Sequence, residues 1–212
     1  MVKNILISVR TTLVLALITG ILFPLAITAI AQMIYPSQAN GSLIVRSGKV
    51  LGSQLIGQPF ARPEYFHSRP SAAGSGYAGE ASGGTNLAPT SKKLLDGVAD
   101  DPATKNVDES FAGIKQLSDA YRHENGLAPS QLAPVDAVTR SASGLDPDIS
   151  VPNALLQAPR VARARHLREK DVVDLVESKI QARQLGCLGE PRVNVLILNL
   201  ALDKLNNLGA VR

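Results

Sequence analysis

A single cysteine, Cys187, is the only thiol in this 212-residue sequence, so an internal disulfide framework and every paired-cysteine zinc site are excluded. Tryptophan is absent and aromatic residues make up 4%, which leaves few of the stacking platforms that single-stranded nucleic-acid grooves use. The net charge is only +4, and the excess of basic residues forms no stripe, so no nucleic acid is expected as a partner. No G-x-x-x-x-G-K-[ST] occurs, which excludes a P-loop, and no G-x-S-x-G elbow or H-E-x-x-H spacing is present. Acidic residues are missing from the first 63 positions, Glu64 being the first.

That one-sided start coincides with the longest apolar run. No charge of either sign lies between Thr11 and Val45, and Thr11–Ile34 reads TTLVLALITGILFPLAITAIAQMI. At 1.5 Å of rise per residue these 24 residues cross a hydrocarbon core of about 30 Å. Gly20 and Pro24 inside it are both tolerated in membrane helices, and Gly20 with the neighbouring threonines suits close approach to other helices. Tyr35-Pro36 reads as an interfacial anchor and a stop. A cleaved signal peptide is the rival, with Lys3 and Arg10 before the run and Ala29-Ile30-Ala31 as its cleavage site. The run stays apolar past that site, which favours retention. A ten-residue tail normally stays inside and a long domain is exported, so residues 1–10 are expected in the cytoplasm and the bulk of the chain outside.

Residues 35–212 suffice for one domain with its own core, and its elements come in an order that suggests an α+β fold rather than a doubly wound sheet. The fold class expected is a single N-terminal transmembrane helix followed by one soluble α+β domain. Ser42–Arg46 and Val50–Ile56 read as a hairpin turned at Ser47-Gly48-Lys49. Positions 58–89, rich in Gly, Ser, Ala and Pro, form a long loop. The spacing of Phe111, Ile114, Leu117 and Tyr121 predicts a helix over 106–125 closed by Gly126. Val135–Thr139 is a strand candidate, Arg160–Arg168 and Lys170–Leu185 are helical, and Val193–Ile197 is a strand running into a closing helix at Leu198–Leu208.

Chemistry-bearing patterns are few. Gly74-Ser75-Gly76-Tyr77-Ala78-Gly79 matches G-x-G-x-x-G, but it follows Arg69-Pro70-Ser71 where a strand should stand, so a flexible loop explains it better. His67, His123 and His166 are scattered, and no metal site is expected. Asp146-Pro147-Asp148 reads as a turn, and Cys187 as a small apolar residue rather than a nucleophile. No catalytic residue can be named. The densest charge cluster is Arg160, Arg163, Arg165 and Arg168; it is either a solvated helix or a docking surface for an acidic or phosphate-bearing partner.

Five ordered blocks carry a resemblance: Tyr65–Ala72 (YFHSRPSA), Ser82–Leu87 (SGGTNL), Ser141–Ser150 (SASGLDPDIS), Pro159–Arg165 (PRVARAR) and Leu188–Asp203 (LGEPRVNVLILNLALD). Following one N-terminal span, they resemble the C subunit of the Kdp potassium-transporting P-type ATPase of bacteria, over essentially the whole chain. The resemblance implies a non-catalytic accessory subunit of an inner-membrane complex, with a channel-like potassium-binding subunit, an ATP-hydrolysing subunit and the lipid bilayer as partners. The sequence fits that division, because it has no Asp-Lys-Thr-Gly-Thr phosphorylation motif. The family's C subunit is described as supporting assembly and, as a catalytic chaperone, raising the ATP affinity of the hydrolysing subunit. No cofactor is then tightly bound, ATP being shared with that subunit. The same resemblance makes Ser82, Gly83, Gly84, Arg163 and Arg165 candidates for nucleotide contact; Gly20 and Pro24 in the span and Arg160 and Arg168 in the charge cluster are the candidates for partner docking. Complexes of the family place the domain on the outer face, where it would cap the ion entrance. One departure stands out: Asp171 occupies a place where the family often carries a glutamine linked to nucleotide, and an acid there would repel a triphosphate. The alternative to all of this is a secreted or membrane-anchored binding domain unrelated to transport.

Overall fold

The computed structural model describes residues 1–99 and 110–209, in two compact units, Met1–Ser53 and Gln54–Arg212. In the first unit one continuous helix runs over Val2–Ile34; its most apolar 18-residue window has a mean hydropathy of 2.6 and is not buried, so the helix is long and apolar enough to cross a membrane. It consists of α1 (Val2–Leu17), a π-turn (Ile18–Leu22) and α2 (Phe23–Ile34). The π-turn has a local cause. Pro24 offers no N–H to the carbonyl of Gly20 and its ring crowds that carbonyl, so the preceding turn widens and the Phe23 N–H reaches back to Ile18 O. The Thr19 and Thr28 hydroxyls donate to the carbonyls of Leu15 and Pro24, each at 2.8 Å, so the helix satisfies them internally.

A short helix α3 (Pro36–Ala39) turns the chain, and the hairpin strands β1 (Leu43–Arg46) and β2 (Lys49–Ser53) follow as predicted, with a bulge opposite Ile44 and Val45.

The second unit is an α+β domain, so the expected fold class is the one observed. After a long stretch whose only regular element is a 3₁₀ turn at Gly79–Ala81 come α4 (Lys92–Asp96), α5 (Ile114–Asn125) and α6 (Val135–Val138). Strand β3 (Asp148–Ser150) leads into α7 (Val151–Arg165) and α8 (Glu169–Ser178); β4 (Ile180–Gln181) and β5 (Arg192–Asn194) then precede the closing α9 (Val195–Gly209). The three strands form an antiparallel sheet in the order β3-β5-β4. Its inner face and α7, α8 and α9 bury Phe66, Ile149, Val161, Val172, Val193 and Leu198, none more than 1% exposed.

Several boundaries differ from expectation for identifiable reasons. The strand expected at Val135–Thr139 is not formed: Val135–Val138 is a single helical turn started by Pro134, and the Thr139 hydroxyl closes it by donating to Val135 O. The helix predicted over 106–125 begins at Ile114; its first positions lie outside the described residues, and Phe111 instead exchanges backbone hydrogen bonds with Val98. The arginine helix starts earlier, at Val151, because Ser150 caps it by accepting from the Asn153 N–H and Pro152 fits its first turn. The helix expected over 170–185 stops at Ser178, since Ile180 pairs with Val193 in the sheet. The strand expected over 193–197 ends at Asn194, whose side chain accepts from the Ile197 N–H and so opens α9.

Candidate functional site

The long segment after Gln54 has almost no secondary structure of its own, yet it is held along its length by residues 139–146. Gly57 N–H donates to Leu145 O, Arg69 reaches Asp146 Oδ2 at 2.6 Å, and the Ser71 hydroxyl donates to Gly144 O at 2.6 Å. Ser82 Oγ and Gly83 N–H both donate to Ser143 O, at 3.0 and 2.9 Å. Tyr77 donates to Arg69 O, and burial pushes its phenol up to about 12. The 74–79 stretch is part of this loop, its turn closed by hydrogen bonds from Gly76 and Ala78 to Ala73 O, so it lacks the strand-to-helix context of a dinucleotide fingerprint.

Beneath the segment, one stripe of α7 is polar. Asn153, Gln157 and Arg160 recur at helical spacing, and they are 1%, 1% and 6% exposed. Buried polar groups must be bonded, and these are. Asn153 Oδ1 accepts from the Tyr121 hydroxyl and from Gln157 Nε2, both at 2.9 Å, and Asn153 Nδ2 donates to Asp136. Asp136 also accepts from the backbone and the hydroxyl of Ser150. Gln157 grips His67 through both backbone groups, accepting at 2.7 Å and donating at 3.2 Å. Arg160 donates to Asn125, Tyr65 O, Pro63 O and Gln157. Asn199 of α9 repeats the grip on Phe66, with both bonds at 2.9 Å.

This network floors a cleft of about 400 Å³, walled by Phe60, His67, Leu117, Tyr121 and Glu124. The His67 ring stands at its rim with Nδ1 2.9 Å from Glu124 Oε1 and Nε2 2.9 Å from Arg62 O, both of them acceptors. The hydrogen bond from His67 holds the Glu124 carboxyl below its ordinary value, against an opposing effect of burial, and the charges of His67 and Arg160 lower it further. A depressed carboxylate contributes stability that is present above its unfolded value and is lost as pH falls through the folded one. Glu124→Gln is therefore expected to be less stable than the parent at neutral pH, with the gap closing as pH drops from about 5 to about 3. Urea unfolding across that range checks it; a pH-independent gap would contradict the pairing.

The candidate residues fall in different places. Gly84 packs with its α-carbon against the Ala142 backbone, and Ser82 and Gly83 are bonded to Ser143. Arg165 donates to Glu64 O and Asp203 and lies over the Tyr65 ring at 4.7 Å, while Arg163 is exposed. Among the described residues, no hydrogen bond joins the 82–84 group to these arginines. Arg160 is inside the network, and Arg168 is exposed and forks onto both oxygens of Asp171 at 2.9 and 2.7 Å. Gly20 has open space around its α-carbon on the bare helix, four residues before Pro24. Of the histidines only His67 lies in the cleft; His123 and His166 are exposed. The described residues contain no cluster of three or more metal-binding side chains. Cys187 is exposed rather than packed. Asp148 pairs with Arg192 at 2.8 Å, and burial raises its carboxyl.

Asp136, Asn153 and Gln157 were not singled out from the sequence. The available signal was Asn153, Gln157 and Arg160 on one helical row beside the apolar row Ala154, Ala158 and Val161; Pro152 and Pro159 hid it by making a helix over 151–165 look improbable.

Comparison with known proteins adds the following. The family model described as KdpC, K+-transporting ATPase, c chain, matches residues 5–204. A potassium-transporting ATPase KdpC subunit of Mycobacterium bovis is 50% identical over 203 residues, covering 96% of this chain and 99% of its own. The subunit of that name in Acidobacterium capsulatum is 49% identical over 94% of this chain and 97% of its own, and that of Caulobacter vibrioides 52% identical over 87% and 84%.

Proposed function

The chain belongs to the KdpC family of K+-transporting ATPase c chains, and from that premise we propose that it acts as the anchored accessory subunit of an ATP-driven potassium importer. Its helix crosses the bacterial inner membrane with the N-terminus in the cytoplasm and packs against the channel-like potassium-binding subunit. Its α+β domain sits on the outer face over the ion entrance and supports assembly with the ATP-hydrolysing subunit. The observation that carries this reading is the bare helix Val2–Ile34: none of its most apolar window is covered by its own chain, and Gly20 leaves backbone open for close helix approach. Removal of residues 1–34 is expected to cost the domain its place in the complex. Pull-down of the hydrolysing subunit should then recover less than about a tenth of the truncated chain relative to the full one. Full recovery would refute the anchoring role.

A second reading keeps the nucleotide. Arg163 is exposed, and its guanidinium fork could meet a phosphate shared with the hydrolysing subunit and so raise its ATP affinity. Photolabelling of the intact complex by an azido-ATP analogue, abolished by Arg163→Ala, would favour it. A C-terminal topology reporter that reads outside would remove it, since ATP is cytoplasmic.

A further inference from the structure

The β1–β2 hairpin is the part of the first unit with the least internal explanation. Val45 and Val50 are cross-strand partners, and Leu43 lies two residues before Val45 on an unbulged strand, so the three side chains share one face. They are 58%, 59% and 51% exposed. The other face carries the half-buried Ile44 at the base of the hairpin and, beside the turn, the exposed Arg46 and Lys49, directly opposite each other. The hairpin therefore presents one exposed aliphatic face and a cationic pair at its turn end.

It is also tied to the end of the apolar helix. Gln32 and Asn40 exchange two side-chain hydrogen bonds, at 3.2 and 3.0 Å, which fold α3 back on α2. Asn40 further donates to Pro36 O, and the Ser53 hydroxyl donates to Gly41 O at 2.7 Å, fixing the base of the hairpin to the same turn. A helix that crosses a bilayer thus delivers this hairpin to the zone where acyl chains give way to headgroups.

We propose that the Leu43, Val45 and Val50 face of the hairpin lies on the anionic phospholipid surface of the bilayer that the helix crosses, with Arg46 and Lys49 on lipid phosphates. This rests on the reading of Val2–Ile34 as a membrane span. Charge complementarity selects the occupant: the whole first unit contains no acidic residue, and Arg46 and Lys49 are its only charges after the helix. The chemistry of the face agrees. Short aliphatic side chains with snorkelling cations suit an interfacial element, whereas a protein interface centres on aromatic or methionine anchors that this face lacks.

The test uses the full chain carrying Cys187→Ser and an environment-sensitive fluorophore on Val45→Cys, or on Leu43→Cys should the first variant misfold. Leu132→Cys, at a position 86% exposed in the second unit, is the aqueous control. The chain is reconstituted in phosphatidylcholine vesicles with and without phosphatidylglycerol, and in the assembled complex. Resistance to carbonate extraction reports insertion of the helix separately. The expected result is a blue-shifted probe at 45 that headgroup-labelled lipid quenches, with the embedded fraction falling about fivefold for each cation removed by Arg46→Gln or Lys49→Gln, in anionic vesicles only. A probe at 45 that matches the control while the chain resists extraction overturns the proposal and leaves the span intact. A chain released by carbonate overturns both. A blue-shifted probe that lipid does not quench in the complex assigns the face to a partner subunit instead.

Discussion

Arg160→Ala is expected to lower the stability of the α+β domain by about 3–5 kcal/mol, a fall in melting temperature of about 10 °C or more. The side chain is 6% exposed, and its donors serve Asn125 Oδ1, Gln157 Oε1 and the carbonyls of Tyr65 and Pro63. Alanine removes a buried volume and leaves at least four acceptors short of a donor, each a desolvation penalty that water must relieve or the fold must bear. The damage spreads along the stripe, because Gln157 holds both backbone groups of His67 and its own oxygen is shared with Arg160. Arg160→Lys is expected to recover little, since one ammonium cannot reproduce a planar fork that reaches three segments of chain. Arg163→Ala, three residues along the same helix on an exposed side chain, should stay within about 0.5 kcal/mol of the parent. Calorimetry on the three full-length variants separates these outcomes. An Arg160→Ala protein as stable as Arg163→Ala would mean that the network contributes nothing to the fold.

The contrast within that arginine cluster shows what the sequence could and could not convey. Four arginines in nine residues are visible as a run, and helical geometry says which share a face. Which face is buried depends on Tyr65 and Asn125, partners far away in sequence that no local pattern connects to them. The apolar helix and the first hairpin were legible because their signals are local: an uncharged run of sufficient length, and a Ser-Gly-Lys turn between β-branched residues. The strand expected at Val135–Thr139 is a helical turn at Val135–Val138 because β-branched residues express only a weak preference, overridden here by the proline before them and by the role of Asp136 in receiving Ser150 and Asn153. The cleft was illegible for a related reason. Its floor is a set of polar side chains satisfied by one another across long stretches of sequence, and burial of a polar residue leaves no mark on hydrophobic periodicity. The ordered blocks of the family fared better. Residues 65–72, 82–87, 141–150 and 159–165 prove to be segments bonded to one another: Arg160 to Tyr65, Ser71 to Gly144, Ser82 and Gly83 to Ser143. The motifs that mark the family are thus the struts that let a stretch of chain almost without secondary structure keep one conformation.

Gly144→Ala tests that construction where it is tightest, and should cost about 2–4 kcal/mol. Gly144 has φ +67°, and a Cβ there would stand 2.7 Å from Ala73 N, 2.8 Å from Gly83 O and 2.9 Å from Ala73 Cβ. Two of those neighbours are backbone atoms, which cannot swing aside as the end of a side chain would. Ala73 is itself completely buried, so it has no free space to move into. Accommodating the methyl group requires opening the contact between residues 71–83 and 141–146, where the Ser71 to Gly144 and Gly83 to Ser143 hydrogen bonds lie. Gly126→Ala is the matching control. Its φ of +65° imposes the same left-handed strain, but nothing stands within 4 Å of the added carbon, so only about 1 kcal/mol is expected. The difference between the two variants isolates crowding from backbone preference. Limited proteolysis adds a readout that a uniform loss of stability would not give: cleavage between Gly74 and Gly84 should accelerate in Gly144→Ala well beyond its change in global stability, because the segment detaches before the core unfolds. Equal costs for the two alanines, with unchanged cleavage in the loop, would show that residues 58–89 owe their order to something other than this contact.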